Sequence, residues 1–327
     1  MAMVNQKQKP LRLPLFSTKL IVLVILILQP LKGISQCFSS VNPVGGTANL
    51  LVLDQKSLRF IGFYRHAYSN SYYEGHSKSD FDQINNAGYN YFGSILAYGL
   101  FQKLTMETEW GYYLDKTYHY NLTPVYTLRG SGFTNTVISS KFSLYTDYQK
   151  RLYLSGSAGI KIPLTRKSKE VDGVTLPVDL QPSTNAFGTV FQLFFVKENS
   201  ESGMRYFFIS RVETNRQNTN DYRLGNTVFS SMFVSRHLPD HWIKGDWTVI
   251  LQLRNEFRTR NKRGEISEEF TGGCIFLLSP QINYRLKEKW NFSFIFDIPV
   301  YQYYNGIQLA YNYAFMVNLT RDFNFYK

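Results

Sequence analysis

Between Ile307 and Thr320 the chain alternates with a period of two. Ile307, Leu309, Tyr311, Tyr313, Phe315, Val317 and Leu319 fall on one face. Gln308, Ala310, Asn312, Ala314, Met316, Asn318 and Thr320 fall on the other, with Met316 as its large apolar exception. Successive side chains of a strand point to opposite sides, so this pattern predicts a strand with one apolar and one polar wall. Trp247, Val249, Leu251, Leu253 and Phe257 oppose Thr248, Gln252, Arg254, Glu256 and Arg258 in the same way. Leu104, Met106, Trp110, Tyr112 and Leu114 oppose Thr105, Glu107, Glu109 and Asp115. Phe292, Phe294, Phe296, Ile298 and Val300 oppose Asn291, Ser293 and Asp297. Carried along the chain, the pattern predicts about twelve strands and no helix of any length. The strands lie near 57–68, 89–101, 103–115, 134–146, 151–163, 186–197, 204–215, 226–237, 246–258, 274–286, 290–302 and 307–320.

The links between strands are unequal. Even-numbered strands are followed by short ones: Gln102, 147–150, 198–203, 238–245 and 287–289. Odd-numbered strands are mostly followed by long polar ones: 69–88, 116–133, 164–185, 216–225 and 259–273. The last odd link, 303–306, is short and carries the Asn305-Gly306 pair, a hairpin turn signal. Short turns on one rim and long loops on the other characterise an antiparallel up-and-down barrel of the outer membrane. Trp242, Trp247 and Trp290 fall beside the short turns. Tyr64, Tyr68, Tyr89, Tyr91, Tyr301, Tyr303 and Tyr304 fall toward the other rim, giving two candidate aromatic girdles. A soluble sandwich or barrel would show the same alternation with its apolar wall turned inward. Periodicity alone does not separate the two.

The start of the chain favours the membrane version. Lys7, Lys9, Arg12 and Lys19 precede the unbroken apolar run Leu20–Leu28, and Gln29, Pro30 and Lys32 end it. The run is shorter than the roughly 20 residues a helix needs to cross a bilayer. This pattern reads as a secretory signal peptide over residues 1–36, cleaved near Gln36. Lipidation of Cys37 is an alternative use of the same region. Residues 37–57, with Asn42-Pro43-Val44-Gly45-Gly46, then form a periplasmic or lumen segment, and 58–327 forms the barrel.

Composition agrees. Of 327 residues 17% are aromatic, with 24 Tyr and 26 Phe, a bias that suits pleated surfaces. Two Cys exclude a disulfide scaffold and a four-cysteine zinc site. The formal charge is +12, but five bases, Lys7, Lys9, Arg12, Lys19 and Lys32, lie in the leader, so the remainder carries five fewer, +7. The other bases are interleaved with acids and form no stripe, so nucleic acid is not an expected partner.

The closing segment Asn318-Leu319-Thr320-Arg321-Asp322-Phe323-Asn324-Phe325, together with leader, alternation and rim asymmetry, resembles Gram-negative outer-membrane β-barrel proteins. Within them the chain is similar to the family of outer-membrane transporters associated with phenol-degradation operons. Such barrels usually end in an aromatic residue; here Tyr326 and Lys327 follow Phe325. The resemblance implies residence among membrane lipid and lipopolysaccharide, and a passive channel or transporter for small solutes, with no bond made or broken.

If the polar wall lines a lumen, it carries Arg59, Arg65, Lys141, Lys161, Arg205, Arg211, Arg254, Arg258 and Arg285 against Glu107, Glu109, Glu213, Glu256 and Asp297. That excess of bases predicts a preference for polar or anionic solutes. Cross-pairing of the same charges predicts instead a plugged structural or assembly barrel that presents its loops to a periplasmic or outer-membrane protein. A lipid-modifying barrel enzyme is a third possibility, for which Ser235, His237 and Asp240 offer the only nearby triad. His66, His76 and His119 fall in or near long loops with Asp80, Asp82 and Asp115, but at no known metal-ligand spacing. No catalytic residue, cofactor or metal is assigned. Cys37 and Cys274 map to opposite rims, so no bridge is expected.

Overall fold

A strand with one apolar stripe cannot bury it alone. The computed structural model describes residues 51–124, 126–199, 202–238, 242–287 and 289–325, and in it the strands close on themselves. In chain order they are β1 (Ser57–Ser69), β2 (Ile84–Phe101), β3 (Leu104–Tyr120), β4 (Thr136–Asp147), β5 (Leu152–Ile162) and β6 (Gly188–Glu198). They continue as β7 (Met204–Asn215), β8 (Thr227–Leu238), β9 (Asp246–Arg258), β10 (Gly273–Leu286), β11 (Trp290–Leu309) and β12 (Tyr313–Asn324). Each pairs antiparallel with the next, and β12 pairs with β1 from Ser57 opposite Asn324 to Tyr68 opposite Tyr313. The fold is all-β, a closed twelve-stranded up-and-down barrel. Closure satisfies every strand edge within the sheet, the condition for crossing lipid with strands.

The apolar wall faces out. Leu251 and Leu253 are 51% and 43% exposed, while Gln252 and Arg254 between and beside them are 5% and 7%. Phe92, Phe294 and Val317 are exposed on neighbouring parts of the same outer surface. A soluble barrel would reverse this order, whereas lipid favours it. At the short-turn rim Trp247 packs on Tyr284 at 4.6 Å, and the Arg321 guanidinium lies 4.3 Å over the Trp290 ring. Leu251→Arg is therefore expected to cost about 2–4 kcal/mol near the bilayer midplane. Gln252→Arg points inward and breaks hydrogen bonds with Ser231 and Gln281, at about 1 kcal/mol each. Denaturant titration of barrels refolded into vesicles reads both costs, and a Leu251→Arg cost below about 1 kcal/mol would contradict the face assignment.

Three sequence expectations change. The last strand was expected over 307–320, but β12 begins at Tyr313, and Ile307–Leu309 extend β11. There β11 pairs with the short loop strand Tyr72–Gly75, and the register jumps from Tyr304 to Ile307. Asn305-Gly306, with Gly306 at φ +59, forms this irregularity instead of the hairpin turn. The actual turn spans 310–312, tied down by Ala310 N–H on Ser71 O and Asn312 N–H on Tyr68 O.

Asp115 is the second change. Opposite β2, Tyr113 faces Tyr91 but Asp115 faces Asn90, so Leu114 is an extra residue. The bulge turns Asp115 outward, where it accepts from Asn90 Nδ2 at 2.8 Å, and brings Lys116 inward. Third, Tyr89, Tyr91 and Tyr304 leave the expected girdle and are buried inside, at 1%, 3% and 1% exposure. The Tyr91 ring lies flat across the wall because Gly111 of β3 has no side chain: a Cβ there would stand 1.9 Å from the Tyr91 hydroxyl. Gly111→Ala should cost about 1–3 kcal/mol by overpacking, read as a lowered temperature of heat-induced mobility shift on gels. The long loops carry short strands of their own at Tyr72–Gly75, Ser77–Ser79, Tyr126–Phe133, Glu170–Val171, Val174–Thr175, Tyr222–Arg223, Lys262–Arg263 and Ile266–Ser267.

Candidate functional site

The inward positions of the strands carry the charged residues, and most of them are paired. One network centres on Asp297 of β11. Its Oδ2 accepts from Arg65 Nη2 at 2.5 Å and Arg254 Nη2 at 3.0 Å, and its Oδ1 from Ser279 Oγ at 2.5 Å. Arg65 also donates to the hydroxyls of Tyr89 (3.0 Å) and Tyr311 (2.7 Å). Arg254 Nε lies 3.2 Å from Glu256 Oε1. Strands β9, β10, β11, β1 and β2 are thus tied together from inside.

The second network centres on Arg211 of β7. Its two terminal nitrogens grip both Glu109 oxygens, at 2.9 and 3.0 Å, and its Nε donates to Glu213 Oε1 at 2.7 Å. Glu213 accepts from Lys161 Nζ at 2.9 Å through its other oxygen. Glu109 is on β3, four strands from β7 around a ring of twelve. A link over a third of the circumference runs across the lumen as a chord. Beside it Lys141 Nζ sits 2.7 Å from Glu107 and 4.2 Å over the Phe194 ring. Lys141, Lys161, Glu107 and Arg211 are at most 2% exposed, so the lumen at this level is filled by side chains.

The remaining expected lumen residues lie nearer the ends. Arg59 pairs with Asp322 at 2.6 Å, and Arg285 at the short-turn rim pairs with Asp246 at 2.5 Å. Arg205 meets Glu198 at 3.2 Å, and Arg258 is buried at the long-loop end of β9. Arg59, Arg65, Lys141, Lys161, Arg205, Arg211, Arg254 and Arg285 therefore each hold an ion pair. The nine-to-five excess shrinks because Asp322, Asp246 and Glu198 were not counted. Each sits at a strand end in phase with the inward positions, so extending the alternation by one pleat would have found it.

Both ends of the lumen are covered. At the short-turn end the residues before β1 run inside the wall: Leu53 N–H donates to Thr105 Oγ1 at 2.8 Å, and Leu53 is buried. Gly99 of β2 makes room, since a Cβ there would stand 2.0 Å from the Asp54 carbonyl oxygen. At the other end the long loops interlock. Asn135 Nδ2 donates to Thr184 Oγ1 at 2.6 Å, and Asn218 Nδ2 to Thr184 O at 3.4 Å. Tyr222 OH donates to Glu268 Oε2 at 2.7 Å, and Asn305 Nδ2 to Thr271 O at 3.0 Å. Below them lies a packed aromatic and aliphatic cluster that includes Phe63, Tyr89, Tyr91, Tyr113, Tyr118 and Tyr304. The sequence reading missed it, having placed three of these tyrosines in the girdle.

The enzymatic constellation does not assemble among the described residues. His237 is exposed and its Nδ1 lies 3.3 Å from Asp246, which Arg285 also holds, while Ser235 is buried. Asp240 lies outside the described residues, as do the expected leader, Cys37 and 37–50. His66 Nδ1 bonds Asn90, His119 Nδ1 bonds Thr127, and Asp82 accepts from Asn121. No group of three His, Cys, Asp or Glu is poised to hold a metal among the described residues. Cys274 Sγ accepts from Asn255 Nδ2 at 3.0 Å.

No family model matches the chain, and no curated protein does. Among solved structures, an outer-membrane channel from Pseudomonas putida F1 superposes with a TM-score of 0.66 at 13% identity, covering 86% of this chain and 100% of its own. The β domain of the Bordetella autotransporter BrkA matches with a TM-score of 0.44 at 10% identity, over 82% of this chain and 100% of that one. A Pseudomonas aeruginosa FadL homologue matches at 0.43 and 8%, over 83% and 91%. The first likeness is one of fold, a closed β-barrel; the other two are too partial to argue from.

Proposed function

We propose that the protein is a channel of the Gram-negative outer membrane that passes small solutes and rests closed. The observation that carries this is the inverted wall: an apolar outer surface around a polar interior, which only a barrel in lipid makes stable. Within it, the path is blocked by side chains and by two chain segments, not by the wall itself. The mechanism is diffusion once those elements move, and no bond is made or broken. Because the ion pairs cancel most of the lumen charge, preference for anions is expected to be slight, and size and hydrogen bonding do more of the selection. Export through a leader cleaved near Gln36 completes the reading.

The packed lumen favours one rival, a structural barrel whose loops meet a partner protein. Single-channel recording in planar bilayers separates the two. The channel reading expects discrete openings, with a reversal potential in a salt gradient near zero or slightly toward anions. The slight bias should vanish at 1 M salt, where the Debye length falls to about 3 Å. Folded, heat-modifiable protein that never conducts would move the function to the loops.

A further inference from the structure

On the outer wall, toward the long-loop rim, three polar residues of neighbouring strands stand in one row. His66 of β1 is opposite Asn90 of β2, and Asn90 is opposite Asp115 of β3. Their chain neighbours Arg65, Tyr89 and Lys116 are buried inside, so the row itself points out. Asn90 Nδ2 donates to Asp115 Oδ1 at 2.8 Å. A carboxylate only accepts, and this fixes the amide: Asn90 Oδ1 faces the other way and accepts from Tyr64 OH at 2.6 Å. The same oxygen lies 2.9 Å from His66 Nδ1, so that nitrogen carries the proton and the neutral ring keeps Nε2 as an acceptor. The donors thus run toward Asp115, whose Oδ2 has no partner among the described residues. Aromatic rings lie alongside: Tyr64 is 5.3 Å from Phe92 and 6.1 Å from Phe315, and the His66 ring is 5.2 Å from Phe315.

The row marks a boundary on the outer surface. Toward the short-turn rim the same strands expose Phe92 and Leu114. Toward the loops Thr117 stands opposite Arg129, which is exposed, while its neighbours Leu128 and Gly130 turn to the interior. In a barrel set in lipid, that change from apolar to polar lies where acyl chains give way to headgroups. The long-loop rim meets the outer leaflet. We infer that the row is a binding site for lipid A, the glycolipid anchor of lipopolysaccharide. Asp115 and His66 accept from the hydroxyl and amide N–H groups at its sugar–acyl junction, and Arg129 meets a phosphate. The acyl chains lie on Phe92, Leu114 and Phe315. The row spans two strand spacings, about 10 Å, a width that suits a disaccharide headgroup and exceeds a single ammonium. The inference rests on the outer-membrane reading and not on conduction.

The full chain is refolded in detergent free of lipopolysaccharide, and deep-rough lipopolysaccharide is titrated in. A ligand that binds only the folded barrel raises the temperature at which the heat-modifiable band converts on gels, and native mass spectrometry counts the bound lipid. Asp115→Asn keeps an acceptor for Asn90 Nδ2 but turns an amide N–H toward the lipid. His66→Phe keeps a ring against Phe315 and removes Nε2. Without lipid, both variants should convert near the wild-type temperature. With it, Asp115→Asn should weaken binding at least about tenfold, the value of one hydrogen bond to a charged group, and His66→Phe about fivefold, that of a neutral one. Wild-type affinity in both folded variants overturns the site, as does an equal shift of the wild type by phosphatidylethanolamine, or no shift at all. Should Asp115→Asn not fold, His66→Phe decides alone. A heat-modifiable barrel with no preference for lipopolysaccharide overturns the site and leaves the outer-membrane reading standing. A chain that folds without detergent defeats both.

Discussion

Asp297→Asn should be among the most damaging single changes inside the barrel. Arg65 and Arg254 approach the same carboxylate oxygen, at 2.5 and 3.0 Å, and Asp297 is 1% exposed. Asparagine keeps the shape and can still accept from Ser279, but it leaves two guanidiniums facing each other with Glu256 alone to balance them. Removing one partner of a buried ion pair costs about 3–5 kcal/mol, because the charge left behind remains desolvated. The refolded variant should unfold at markedly lower urea than wild type. Asp297→Asn/Arg254→Met, which deletes one of the stranded cations, should recover a large part of the loss. In bilayers the single variant adds one net positive charge to the lumen, so its reversal potential should move toward anions. A single-variant cost below about 1 kcal/mol, the scale of a lone neutral hydrogen bond, would show that the network is solvated and not a packed hub.

The outer shell of this protein is legible in the sequence because lipid imposes a strict rule. Every outward position of β9 and β11 must be apolar where it meets acyl chains, and the strand period follows directly. Loop lengths then fix which rim is which. The irregular positions were not legible. Leu114 is an ordinary residue in an alternating run, and nothing local announces that the register slips there, yet the slip exchanges Asp115 for Lys116 on the inner wall. Asn305-Gly306 does carry a local signal, but the same left-handed preference serves a hairpin turn or a strand irregularity. Pairing with the distant strand Tyr72–Gly75 selects the second.

The chemistry of the lumen was legible as composition and not as charge. Arg65, Arg211, Lys141 and Lys161 were placed on the polar wall by phase alone. Their partners depend on which strands face one another across the interior, which periodicity does not encode. Glu109 and Arg211 are 102 residues apart in sequence. The count of unpaired charge, and so the expected selectivity, changed once those contacts and the three acids at strand ends were known. The buried cluster of tyrosines was hidden for a related reason. Aromatic residues suit both the girdle and a packed interior, and only the phase of β2, set by its partners, decides that Tyr89 and Tyr91 turn inward.

The cross-lumen pair gives the most direct test of where solutes pass. Arg211 fixes Glu109 with two parallel hydrogen bonds and Glu213 with a third, and it is 2% exposed. Arg211→Met leaves Glu109 without its partner, while Glu213 keeps Lys161. The expected cost is again about 3–5 kcal/mol. Glu109→Gln alone strands the guanidinium less severely, since Glu213 and Gln192 still accept from it. In Arg211→Met/Glu109→Gln both charges of the chord are gone, so the stability loss should be smaller than the sum of the single losses. That non-additivity is the coupling energy of the bridge. The chord crosses the interior between β3 and β7, and with it loosened the double variant should open more often and at higher conductance than wild type. Restored stability with unchanged conductance would place the solute path elsewhere in the lumen, on the Asp297 side. Additive losses would show that the two groups, though in contact, do not depend on each other.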